Sequence, residues 1–309
     1  MTAATDVHPL RAPAERDQAD GALALRAAAG DRAALAELLE RHQSWVYAIA
    51  LRMVREPADA ADLAQEALLR VVTRISQFAG RSSFRTWSYR IVVNCFLDAK
   101  RSRAERFFSS FVRYGDELDR LGLAELNLDP AQEADRALIV EETKVGCMLG
   151  MLLCLTREQR LAFILGAIFE VPSDVAGDVL GVSAAAFRKR LERARADLAS
   201  FMNAKCGLVN PSNPCRCPKK TAALIREGWV DPERLRFVEG RLQQAGVHAP
   251  QLSKRFEDLV AATPEDLFRG HPRAARPDFA RELVRLFAAG ELGGFAAPTG
   301  PWRPLTPGT

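Results

Sequence analysis

The chain has 309 residues, 48% of them apolar, with 43 Lys and Arg against 39 Asp and Glu for a net charge of +4. At roughly 100–200 residues per domain, this length suits two or three modules with modest cores, and abundant alanine, leucine and arginine favour helices over sheet. The opening MTAATDVHPLRAPAERDQAD lacks the apolar stretch of a secretory signal, and the longest apolar run, around Val145 to Leu155, falls short of the ~18 residues of a membrane span, so a cytoplasmic chain with no membrane span is expected. Six cysteines in that compartment exclude a disulfide scaffold and leave metal binding or plain burial.

Charge is unevenly placed. Residues 81–106 carry seven Lys and Arg against Asp98 and Glu105, residues 116–142 nine acids against Arg120 and Arg136, and residues 183–200 five basic residues against Glu192 and Asp197. Two basic segments therefore flank an acidic one, and basic segments of this kind suit a polyanion.

Residues 1–20 are expected to be disordered. In GDRAALAELLERHQSWVYAIALRMV, Asp31 is a good N-cap, and Leu35, Leu38, Leu39, Val46, Ile49 and Met53 recur at the helical period. His42 on this helix reads as a satisfied histidine rather than a ligand. Next, PADAADLAQEALLRVVTRISQF starts with Pro57 and buries Leu63, Leu68, Val71 and Ile75, leaving an acidic stripe that on its own reads as a solvated face. After Gly80, SSFRTWSYRIVVNCFLDAKRSR interleaves Trp87, Tyr89, Arg90 and Asn94 with the basic Lys100, Arg101 and Arg103, a mixture that stacks unpaired bases and follows a phosphate backbone. Phe84 and Ile91 read as core, and Cys95 packs as a small hydrophobe.

In CLTREQRLAFILGAIFE, Thr156 and Gln159 have capping-box spacing. SDVAGDVLGVSAAAFRKRLERARADLASF then supplies a short helix capped by Ser173, a turn at Gly181, and a basic helix capped by Ser183, the parts of a helix-turn-helix. Its small residues Ala184 and Ala185 permit close approach to a groove, and Arg188, Lys189, Arg190 and Arg193 are available to bases or phosphates.

Beyond residue 203, CGLVNPSNPCRCPKK places Cys206, Cys215 and Cys217 in the order C-x8-C-x-C. A standard zinc finger separates its pairs by two to four residues, but a C-x-C pair still suits Zn or Cu(I). A fourth ligand is missing locally and would have to come from Cys147, Cys154, His248 or His271. A structural turn made by Pro211, Pro214 and Pro218 is the competing reading. Short helices are expected at 222–227, 232–244, 250–261 and 278–289, and no nucleophile–base set, phosphate loop or paired acids suggest an enzyme.

Taken in order, GDRAALAELLERH, DAADLAQEALLRV, FRTWSYRIVVNCFLDAKR and LTREQRLAFIL with VAGDVLGVSAAAFRKRLERAR resemble the extracytoplasmic-function group of sigma-70 family RNA polymerase sigma factors, over roughly residues 21–203. The resemblance implies an all-α fold: a region 2 helical bundle (21–104) and a region 4 helix-turn-helix (136–203), joined by an acidic linker (105–135). A Cys/Pro-rich loop (204–220), a helical C-terminal extension (221–296) and a Pro/Gly-rich tail (297–309) follow. The resemblance further implies that Asp62, Gln65 and Glu66 dock on core polymerase. Trp87, Tyr89, Arg90, Asn94, Lys100 and Arg101 would recognise and hold open the −10 element, with a base flipped from the non-template strand and no ATP spent. Ser183, Ala184, Ala185, Arg188, Lys189, Arg190 and Arg193 would read the −35 element in the major groove. The implied partners are RNA polymerase core and promoter DNA, with an anti-sigma factor as a further candidate. No cofactor is required, and Zn or Cu at the cysteine loop is the one candidate. The competing reading is a helix-turn-helix regulator that acts without polymerase.

Overall fold

The computed structural model describes residues 14–129, 133, 135–238, 264–269 and 277–288, and among these the regular structure is helical throughout. The first module comprises α1 (Ala14–Ala28), α2 (Arg32–Val54), α3 (Pro57–Arg74) and α4 (Phe84–Asp98). Asp31 caps α2 by accepting the Ala33 and Ala34 N–H groups at 3.0 and 3.1 Å, Pro57 occupies the first turn of α3, and the Ser83 hydroxyl accepts the Thr86 N–H at 3.1 Å to start α4. Residues 14–20, expected to be disordered, instead form the first turns of α1. The cause is Asp20, whose buried carboxylate accepts from Arg41 Nη1 at 2.7 Å and Arg85 Nε at 3.0 Å and lies 3.2 Å from His42 Nε2. A buried carboxylate with three cationic or polar partners holds its helix against the bundle, because freeing it would strand their charges.

The first half of the acidic linker is also folded. α5 (Arg103–Phe107) opens with a Ser102/Glu105 capping box, and α6 (Phe111–Leu121) opens on Ser110. Phe111 and Tyr114 of α6 pack on Phe201, so this linker segment is tied to the second module.

The second module consists of α7 (Arg136–Leu153), α8 (Arg157–Phe163), α9 (Ser173–Leu180) and α10 (Ala184–Lys205). Thr156 and Gln159 form the expected capping box before α8, which widens into a π turn over Ile164–Ile168. Gly166 lies in that turn, where a Cβ would stand 2.6 Å from Leu191 Cδ2 and 3.0 Å from Phe187 Cζ. α9 begins one residue differently from expectation: Pro172 holds the cap position and Ser173, already helical, makes no capping bond. Gly181, at φ 67°, ends α9 in the left-handed region, and Ser183 caps α10 through the Ala186 N–H at 3.1 Å.

The extension contributes α11 (Cys217–Arg226), α12 (Pro264–Arg269) and α13 (Phe279–Ala288). Of the helix expected at 232–244, residues 232–238 form turns instead, because the N–H groups of Arg236, Phe237 and Val238 converge on the Glu142 carboxylate at 2.8–3.2 Å and are lost to a helical ladder. The remainder of that helix and the one expected at 250–261 lie outside the described residues.

Both modules and the extension share one apolar core. Arg157, at the start of α8, donates to the Phe96, Leu97 and Ala99 carbonyls and thereby caps the C-terminus of α4 in the other module. Its guanidinium and that of Arg160 also clasp the buried Glu105 carboxylate at 2.8 and 2.9 Å. α12 packs Phe268 on Phe163 and donates from Arg269 to the Ala167 carbonyl at 2.8 Å. α13 sets Phe279 against Tyr47, and its Ala280 N–H donates to Gln43 Oε1 at 2.9 Å. The extension therefore touches both modules.

Candidate nucleic-acid interface

α3 buries Leu63, Ala64, Ala67 and Leu68 and leaves Asp62, Gln65 and Glu66 exposed on one face. That division follows from the 3.6-residue period. Glu66 is bridged to Arg70 at 2.7 Å, an i,i+4 pair worth a few tenths of a kcal/mol.

On α4 and just beyond it the expected contact residues separate into four groups. Tyr89 is buried, with its ring 6.0 Å from His42, and burial pushes its hydroxyl pKa well up. Its assignment to the −10 surface is therefore corrected: Tyr89 is core, because its face of α4 turns toward α2. Trp87 is half-buried against Phe78 and Phe84, and Asn94 is half-buried. Lys100 and Arg101 are exposed where α4 has ended. Arg90 reaches the second module, donating from Nε to the Asp178 carbonyl at 2.8 Å and pairing with the Asp178 carboxylate. This contact seats α9 against α4.

On α10, Phe187, Leu191, Ala194 and Leu198 are buried. Ser183, Ala185, Arg188, Lys189 and Arg193 are exposed, and Ala184 is half-buried. Arg190 is half-buried, its Nη1 shielded and without a hydrogen-bond partner. The helix thus offers a small-residue tip followed by a basic face, as groove entry requires.

A cavity of about 710 Å³ lies where α3, α5 and α6 meet the extension, and it escaped the sequence reading. Arg103, Arg106, Arg113 and Arg236 line it with Phe107 and Trp229, and the Arg113 guanidinium sits 5.1 Å above the Phe107 ring. Its residues come from three separate segments, so only the run RFFSSFVRY hinted at the combination.

The family described as Sigma-70 region 2 matches residues 38–106, which span most of α2, all of α3 and α4, and most of α5. The RNA polymerase sigma factor CnrH of Cupriavidus metallidurans is 30% identical over 188 residues, covering 61% of this chain and 96% of that protein. The chain belongs to the ECF group of sigma-70 family sigma factors. This sigma factor is also 36% identical over 171 residues to the probable RNA polymerase sigma factor RfaY of Xanthomonas campestris pv. campestris, and 30% identical over 179 residues to the ECF sigma factor SigE of Mycolicibacterium smegmatis. Those alignments cover 55% and 57% of this chain but only 40% and 65% of the respective relatives. Among the described residues of the sigma factor, no helix is long and apolar enough to cross a membrane.

Proposed function

We propose that the chain is an alternative sigma factor, acting in the cytoplasm, that binds core RNA polymerase and directs it to promoters with −35 and −10 elements. The observation that carries this reading is α10: its apolar side is sealed into the core while Ser183, Ala185, Arg188, Lys189 and Arg193 stay open to solvent on a helix-turn-helix. Asp62, Gln65 and Glu66 form the polymerase-docking face. Trp87, Arg90, Asn94, Lys100 and Arg101 serve the −10 element, with Tyr89 supporting them from the core. The factor lowers the barrier to melting through binding energy alone and has no catalytic chemistry of its own. The extension regulates it, since α12 and α13 pack on the second and first modules.

Purified chain added to bacterial core polymerase should give specific run-off transcripts from a cognate promoter. Lys189→Ala should weaken promoter binding and lower the slope of log K against log salt by about 1, as loss of one phosphate contact does. No transcript from any promoter of the source genome would overturn the reading. Promoter binding without co-purification of polymerase would favour a regulator that acts alone.

A further inference from the structure

Cys147, Cys206, Cys215 and Cys217 line one cavity of about 30 Å³, but among the described residues no three metal-ligating side chains are placed to share an ion, and burial raises the Cys147, Cys215 and Cys217 thiols. The sulfur cluster therefore carries no site. The cavity of about 710 Å³ is different, because its size falls within the roughly 300–1,000 Å³ of small-molecule sites and its lining suits an anion.

Five arginines, Arg55, Arg103, Arg106, Arg113 and Arg236, line it together with Glu56 and Asp59, an excess of three positive charges. Two of the five are committed within the protein. Arg236 pairs with Glu56 at 3.2 Å and donates to the Trp229 carbonyl at 2.8 Å, and Arg55 donates to the Gly146 carbonyl at 3.3 Å and lies over the Phe108 ring. The other three keep open donors. Among the described residues Arg103 has no hydrogen-bond or ion-pair partner, and the Arg113 guanidinium rests over the Phe107 ring without donating to an acceptor. Arg106 uses one guanidinium N–H, on the Arg101 carbonyl at 2.5 Å. Glu117, one turn along α6 from Arg113, is taken by Arg120 at 2.7 Å. Guanidinium forks with open donors match phosphate oxygens bidentately, and three of them on α5 and α6 suit a chain of phosphates better than a single one.

The aromatic half of the cavity comes from the extension. Trp229, half-buried just after α11, meets Phe107 and Phe108 in T-shaped contacts at 5.6 and 5.7 Å, so among the described residues no ring lies parallel to its indole. A planar base can take that stacked position. Asp59, exposed on the first turn of α3, offers an acceptor to a sugar hydroxyl or a base amino group, and its charge with that of Glu56 disfavours a continuous phosphodiester strand.

We propose that this cavity binds a nucleoside polyphosphate, its phosphates held by Arg103, Arg106 and Arg113 and its base stacked on Trp229. The site is incomplete without the extension, so a bound nucleotide ties α5 and α6 to residues 228–236 and places negative charge beside Asp59, one turn before Asp62 of the proposed polymerase-docking face.

The test titrates the full chain by calorimetry, at about 0.15 M salt, with GTP, ATP, inorganic triphosphate, guanosine and a mixed-sequence single-stranded oligonucleotide. One nucleotide per chain is expected, bound at least about tenfold more tightly than inorganic triphosphate, which lacks the base, or guanosine, which lacks the phosphates. Arg103→Ala and Arg113→Ala change exposed side chains, so the fold persists, and each should weaken nucleotide binding about tenfold. Trp229→Ala should bring nucleotide affinity down to that of inorganic triphosphate, and Trp229→Phe should retain most of it. Arg32→Ala, exposed at the opposite end of α2 from the cavity, should leave it unchanged. Equal affinity of the parent chain for nucleotide and inorganic triphosphate would overturn the assignment, as would tighter binding of the oligonucleotide, full affinity in Arg113→Ala, or no saturable binding of either nucleotide. Promoter-directed transcription is not the readout, so failure here leaves the sigma-factor reading standing and the reverse also holds.

Discussion

Replacing Glu105 by alanine should be among the most damaging single changes in the chain. Its side chain is 2% exposed, and its two partners, Arg157 and Arg160, are 12% and 3% exposed. Removing one member of such a buried group costs about 3–5 kcal/mol, because the remaining charge is left without its counter-ion. The structure argues for the lower end of that range. Arg160 also donates to the Leu152, Leu153 and Leu155 carbonyls at 2.9–3.1 Å and to that of Met53, so the C-terminal dipoles of α7 and α2 retain part of the compensation. At roughly 2–4 °C per kcal/mol for a fold of this size, a loss of about 3 kcal/mol lowers the melting temperature by about 6–12 °C at pH 7. Burial alone would raise the Glu105 carboxyl above its ordinary 4.5, but hydrogen bonding and charge from Arg157 and Arg160 outweigh burial and hold it below that value. The carboxylate's contribution is therefore complete above about pH 4.5 and is lost as pH falls through the depressed folded-state value. Thermal melts by circular dichroism of wild type and Glu105→Ala at pH 7 and pH 4 measure both effects. A variant melting within about 2 °C of wild type at pH 7 would refute the buried-charge argument.

Asp20 follows the same sign with a better-defined window: burial opposes ionisation, but His42, Arg41 and Arg85 pull its carboxyl from 3.8 down to about 2. The stability gap between wild type and Asp20→Asn should therefore be full above pH 4 and shrink by about 2 kcal/mol as pH approaches 2, measured by denaturant titration, and a pH-independent gap would contradict it. Gly166→Ala should destabilise by about 1–3 kcal/mol through its clash with Leu191 and Phe187, whereas Gly21→Ala, with open space around its Cβ in α1, should stabilise by about 0.5–1 kcal/mol; equal melting temperatures for the two variants would count against the packing account.

Features written locally in the sequence were legible there. The caps at Asp31, Ser183 and Thr156, the turn at Gly181 and the buried stripes of α2 and α3 depend on spacings within a few residues, and the structure has all of them. Features that depend on distant partners were not. Tyr89 reads as an interfacial aromatic until α2 is laid against it, and Asp20 reads as part of a polar tail until Arg41, His42 and Arg85 surround it. Cys147 joins the cysteine loop only because α7 and α11 pack together, and Glu142 forms turns out of a stretch whose own periodicity is helical.

The Arg90–Asp178 contact has a consequence in competition. While its guanidinium is held on the Asp178 carbonyl and carboxylate, Arg90 has fewer donors left for a phosphate, so under the proposed function the closed packing of α9 on α4 competes with the use of Arg90 on DNA. Whatever free energy holds the two modules together is subtracted from promoter affinity, and by reciprocity anything that parts them raises it by the same factor. A chain so arranged would be a poor DNA binder in isolation and a better one once a larger partner has spread its modules apart.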